Sequence, residues 1–141
     1  MSDLHEFLAP VHMASLHDDM AYNDSQMASV MKIYEEEFPE LDDVDVVILG
    51  INEFRGSGYV PTENAADAVR KKLYPLHNWH RDISIADIGN IRCGASLSDS
   101  YSVVTLVLKD LLKMNKTVIV LGGSHDITLS QYFAYKELPR I

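Results

Sequence analysis

Residues 117–129 read TVIVLGGSHDITL, and the fold is decided there. The first five, TVIVL, form a short continuous apolar run rich in β-branched side chains, the pattern of a strand buried on both faces. Gly122 and Gly123 stop it sharply, and Ser124 and Asp126 are both residue types that cap helices. A helical pattern follows and ends before Pro139. His125 therefore falls in the turn between a strand and a helix. In an open α/β sheet that turn lies where ligands bind, beyond the carboxyl ends of the strands.

The surrounding chain is consistent with such a sheet. Its 141 residues, 47% of them hydrophobic, are enough for one domain with a real core. A single cysteine, Cys93, excludes an internal disulfide and fits a reducing compartment. No apolar run is long enough to span a bilayer. The opening MSDLHEFLAP lacks the basic and apolar regions of a secretion signal, so the cytoplasm is the expected location. The net charge of −9 is uneven: residues 1–50 hold 12 acidic side chains and 1 basic, the remainder 9 and 11. An acidic first third argues against nucleic acid and anionic membrane as partners and reads as a solvated surface.

Residues 1–23 show no sustained period, and His12 and His17, five apart, are poorly spaced for one helix face. Met27, Val30, Met31, Tyr34 and Phe38 recur at helical spacing, which predicts a core-facing helix from Asp24 or Ser25 to Pro39. Val46–Gly50 (VVILG) predicts a second buried strand. The long loop behind it, 51–61, carries Asn52, Glu53 and Arg55 toward the ligand end of the sheet, and these are the candidate substrate-binding residues. Its glycines do not match a dinucleotide fingerprint. Thr62 is the expected cap of the next helix, with Ala66, Val69, Leu73 and Leu76 facing the core and Arg70, Lys71 and Lys72 facing water. His77 and His80 follow Pro75 without acidic or thiol partners and read as bystanders. Residues 83–88 alternate and predict a strand near an edge. Cys93 has no visible base to activate it. Asp99 is expected to cap a further helix, and Asn115 suits its left-handed end.

The whole chain, 1–141, thus reads as one α/β domain with a mainly parallel sheet: a helical acidic lead-in over 1–43 and a βαβαβα core over 44–138. It stops where a further strand is expected, leaving an open sheet edge. The expectation is the amino-terminal part of a longer protein, or a chain that pairs with something else.

Three segments carry a resemblance. LGGSHDITLS is similar to the Leu-Gly-Gly-Asp-His-Ser metal motif of the arginase, agmatinase and formimidoylglutamase family, the ureohydrolases. Leu121, Gly122, Gly123 and His125 match; Ser124 replaces the acid and Asp126 the serine. VVILGINEFRGSGYVPTENAADAVRKKLYPL resembles the family's first strand, glycine-bearing loop and first helix, with Asn64 and Ala65 at the usual Gly-Pro and Arg70 at the usual arginine. DIGNIRCG is similar to the family's Asp-x-Gly-Asp stretch, with Asn90 at the second acid. The acidic lead-in and the Glu53-Phe54-Arg55-Gly56 loop bring the formimidoylglutamase-like branch nearest.

The resemblance implies a three-layer α/β/α sandwich and hydrolysis of the C–N bond of a small-molecule amidine, formimino or guanidino. It implies two manganese ions bridged by hydroxide, with His125 as a metal ligand and a homo-oligomer as the expected assembly. The carboxylates that complete such a centre come in the family from Asp-x-His-x-Asp and Asp-x-Asp motifs, and this sequence has neither. The isolated chain is therefore expected to be inactive. The competing expectations are a non-catalytic α/β binding module and a family member that has lost its metal.

Overall fold

The computed structural model describes residues 3–16 and 21–139. His17 lies outside them. Among the described residues the sheet has five strands: β1 (Leu8–Ala9), β2 (Lys32–Ile33), β3 (Val46–Gly50), β4 (Ile85–Ile91) and β5 (Thr117–Leu121). The helices are α1 (Met27–Val30), α2 (Ala65–Leu73), α3 (Leu97–Lys113) and α4 (Ile127–Lys136). The strand order is β1-β4-β3-β5, with β2 also on β4. β2, β3 and β5 run parallel in their pairings, and β1 alone is antiparallel.

Alternation along β3 sends side chains into two apolar layers. Val47 and Leu49 join Val104, Val107, Leu108 and Leu111 of α3, together with Ile127 and Ala134 of α4. Ile48 turns the other way, to Ala66 of α2 and to Tyr74. Helices therefore cover both faces, and the architecture is the expected α/β/α arrangement. Over β3 to α4 the order βαβαβα agrees with the sequence reading.

The lead-in differs. The predicted helix shrinks to the single turn α1, and Met31 is already extended. The competing structure is the unused side of β4. Lys32 and Ile33 pair with Ala86 and Asp87 there. The Tyr34 N–H donates to the Asp87 carbonyl at 2.9 Å, and the Tyr34 carbonyl accepts from the Val11 N–H at 2.8 Å. Sheet partners for the backbone win over helical spacing, and Val30 is left 55% exposed.

β4 is not near an edge. It is flanked by β3 on one side and by β1 and β2 on the other, and Ala86 to Gly89 are all buried. The apparent alternation came from Asp87, which is buried because it is neutralised. Arg70 donates to it twice, Nε to Oδ2 and Nη2 to Oδ1, both at 2.8 Å. The Tyr74 hydroxyl adds a third bond at 2.8 Å, and the Gly89 N–H a fourth at 3.0 Å. Arg70 also reaches the Gly89 carbonyl, Asn90 Oδ1 and Asp67 Oδ1. Arg70, Tyr74 and Asp87 are all 0% exposed. The buried face of α2 is thus Ala66, Arg70 and then Tyr74 just past its end, one residue round from the stripe predicted. Val69 and Leu76 point outward instead.

Caps shift in the same way. Asn64 rather than Thr62 caps α2, accepting from the Asp67 N–H at 3.0 Å. Ser96 caps α3 and Asp99 is its reciprocal partner in a capping box. Asn115 does adopt the left-handed conformation expected of it, with φ 58°. Among the described residues β5 stands at the edge of the sheet, and it is not buried on both faces: Ile119 is 46% exposed.

Replacing Asp87 by Ala leaves the Arg70 guanidinium buried without its counter-charge, so the expected loss is about 3–5 kcal/mol, read by urea unfolding. An Arg70→Met, Asp87→Leu double variant is expected to recover part of it.

Candidate functional site

Three loops meet at the carboxyl rim. The first follows β3 and carries Asn52, Glu53 and Arg55; the second joins β4 to α3; the third is the turn from β5 into α4. Arg55 fastens the first to the second. Its Nε donates to Glu53 Oε1 at 2.9 Å and its Nη2 to Oε2 at 2.6 Å. The same guanidinium donates to the Ala95 and Gly94 carbonyls, each at 2.9 Å, and to Ser100 Oγ at 3.1 Å. Glu53 is 2% exposed. The Arg55 hydrogen bond outweighs burial and holds the Glu53 carboxyl at about 2, well below its ordinary value.

The third loop is fastened to the first. Ser124 N–H donates to the Glu53 carbonyl at 3.0 Å. Asp126 accepts from the Ser124 hydroxyl on one oxygen and from the Tyr101 hydroxyl on the other. Burial works to raise the Asp126 carboxyl, but these two bonds outweigh it and hold it low. The hydrogen bond to Asp126, helped by burial, pushes Tyr101 up to about 12. Neither Ser124 nor Asp126 caps α4 with its side chain, contrary to the sequence reading. Their side chains bond each other and α3 instead. Gly56 lies so close to Asp126 that an added Cβ would meet Oδ2 at 2.0 Å, which explains a glycine there.

His125 stands exposed at the mouth of the β5 turn, on a shallow cavity of about 250 Å³ with Gly122, Gly123 and Gln131. Gly122 and Gly123 have φ of 83° and 82°, a conformation that lets the chain fold back from β5. Asn52, Glu53 and Arg55 line a separate cavity of about 700 Å³ together with Tyr59, Asn64 and Cys93. Asn52 Oδ1 is buried there without a hydrogen-bond partner. Cys93 is exposed, yet desolvation of its thiol and the nearby Glu53 carboxylate push its pKa up, opposite to what a nucleophile needs. His12, His77 and His80 are exposed, and Trp79 stacks on His80 at 3.9 Å.

Among the described residues, no group of three or more His, Cys, Asp or Glu is placed to hold a metal ion. His125 offers one nitrogen, and the carboxylate beside it is already committed to Tyr101 and Ser124. These residues alone do not fit a pair of manganese ions, which favour several carboxylate oxygens.

The arginase family model matches residues 44–140. This chain belongs to the arginase family. It is 31% identical over 84 residues to a formimidoylglutamase of Vibrio parahaemolyticus, covering 59% of this chain and 24% of that one. A formimidoylglutamase of Vibrio cholerae is 33% identical over 79 residues, 55% of this chain and 23% of that one. The chain thus spans about a quarter of the length of these relatives. Among solved structures, Trypanosoma cruzi formiminoglutamase with Mn2+ superposes with a TM-score of 0.64 at 19% identity, over 79% of this chain and 40% of that one. A putative agmatinase from Clostridium difficile gives 0.56 at 18% identity, over 70% and 39%. Both superpositions carry the arginase-family fold. No helix among the described residues is long and apolar enough to cross a membrane.

Sequence reasoning singled out Arg70 by resemblance but placed it in water, and it gave no part to Tyr74, to the Tyr101 hydroxyl or to Asp126 as a tie between loops. The signal for Arg70 and Tyr74 was the spacing Ala66, Arg70, Tyr74, four residues apart each time. Glu53 ties the rim together only while ionised. Its folded pKa lies below its unfolded value of 4.5, so its contribution is full above pH 4.5 and drains away toward about pH 2. Acid titration of stability is expected to flatten across that window in Glu53→Gln.

Proposed function

We propose that this arginase-family chain belongs to a manganese-dependent hydrolase that cleaves the C–N bond of a formimino or guanidino substrate, with a formimidoylglutamate-like compound first among them. The observation that carries the reading is His125, an exposed imidazole at the carboxyl mouth of β5 within the LGGSHD turn. Its role is to donate one nitrogen to the metal centre. Bound manganese would supply an acidified, oriented water. The described residues provide too few donors to route that step through this chain alone.

What its residues do is bind and hold. Asn52 Oδ1, buried and unpartnered on the larger rim cavity, is suited to accept an N–H from an amidine. The Glu53–Arg55 pair is internally neutralised, so its part is to position the loop that carries Asn52 rather than to grip a charged substrate. Relatives named as formimidoylglutamases support the substrate class, and the manganese of the trypanosomal structure supports the metal. The second reading, a relative that has given up metal, draws on the commitment of Asp126 to Tyr101 and Ser124.

Two measurements decide between them. The 141-residue chain by itself is expected to show no tight manganese site by calorimetry and no formimidoylglutamate turnover. In a polypeptide of full family length containing this sequence, His125→Ala is expected to lower turnover by more than about 100-fold together with manganese content. Activity that survives this change, or is indifferent to chelators, would overturn the hydrolase reading.

A further inference from the structure

The acidic lead-in has no part in the rim chemistry, yet it builds a second cavity. This one, of about 480 Å³, opens at the amino-terminal end of the sheet, between residues 3–5, the 38–42 connection and the last turn of α3. Its size is that of a small-molecule site. The floor is apolar: Leu4 and Leu41 are 7% and 5% exposed, and Phe38, Pro39 and Met114 complete it. The rim is negative. Asp3, Glu40, Asp42 and Asp110 stand around it, against Lys113 and His5. The nearby Lys32 ammonium does not neutralise this rim, because it pairs with Asp43 at 2.5 Å and takes the Glu40 carbonyl rather than its carboxylate. Lys116 donates to the Val44 carbonyl at 2.7 Å and to the Asp42 carbonyl at 3.4 Å; its charge and that of Lys113 offset only part of the four rim carboxylates. The 17-residue α3 ends here, so the negative end of its dipole adds to the same field.

An apolar floor under an acidic rim selects for one kind of ligand. An anion meets repulsion, and a neutral apolar molecule gains only the floor. A cation with an apolar body gains both. We propose that this cavity binds a small organic cation, its ring or chain on Leu4, Phe38, Leu41 and Met114 and its ammonium at the carboxylates of Asp3, Glu40 and Asp42. This site is independent of the hydrolase reading and lies at the opposite end of the sheet from His125.

Tryptamine is a suitable probe, titrated into the 141-residue chain at low salt and followed by heteronuclear NMR. Saturable binding is expected, with shifts centred on Leu4, Leu41 and Met114. Its affinity is expected to exceed that of the neutral analogue tryptophol by at least about tenfold and to fall as salt screens the rim. Indole-3-propionate is expected not to bind. Glu40→Gln with Asp42→Asn, both exposed and so harmless to the fold, should weaken tryptamine several-fold, while His125→Ala should leave it unchanged. Equal affinity for tryptophol, shifts elsewhere on the molecule, or no saturation in the millimolar range would each overturn the proposal.

Discussion

A guanidinium and a carboxylate with no access to water hold the two halves of this sheet domain in register. Arg70 comes from α2 and Asp87 from the middle of β4, and each spends its hydrogen-bonding capacity on the other and on close neighbours. The pair is not a source of much net stability, since desolvating both groups consumes most of what their attraction returns. Its effect is specificity. Only one rotation of α2 lets Arg70 reach both oxygens of Asp87 while Tyr74 adds a second bond to Oδ2. That rotation brings Ala66 against Ile48 and Leu121, and so fixes the floor of the rim.

From that floor the three rim loops are cross-tied. Arg55 binds the carbonyls of the β4–α3 connection, and Ser124 and Asp126 join the β5 turn to the β3 loop and to Tyr101. These ties are short-range hydrogen bonds, some between side chain and backbone, some between side chains and one between backbones. They give the turn that bears His125 a defined place without using the imidazole itself. A turn held in this way needs no ordering when something binds there, and ordering a loose loop at the moment of binding would subtract from affinity.

The parts of this fold legible in the sequence were those where chain pattern and environment agree. The apolar runs at 46–50 and 117–121 became adjacent parallel strands, and the turn after the second carried His125 to the rim. Misreadings arose where a charged residue sits inside. Arg70 looks like part of a wet triplet, and Asp87 looks like the polar beat of an edge strand; each is buried only because of the other, seventeen positions away. Pattern reading treats residues singly and cannot see such a pair. The lead-in failed for another reason. Its helical spacing is real, but short strands on the vacant side of β4 satisfied the backbone better. Position after β3 was enough to put Asn52, Glu53 and Arg55 on one rim cavity, whereas the mutual neutralisation of the last two is a matter of geometry.

That vacant side of β4 is closed by two tiny strands that run in opposite senses, Lys32–Ile33 and Leu8–Ala9. Neither is long enough to template a neighbour of its own, so the sheet terminates there in a blunt margin. The acidic segment consequently serves as a selvedge: it keeps β4, with its buried run from Ala86 to Gly89, from fraying or recruiting a stranger, and any lineage that shed it would have to seal β4 by other means.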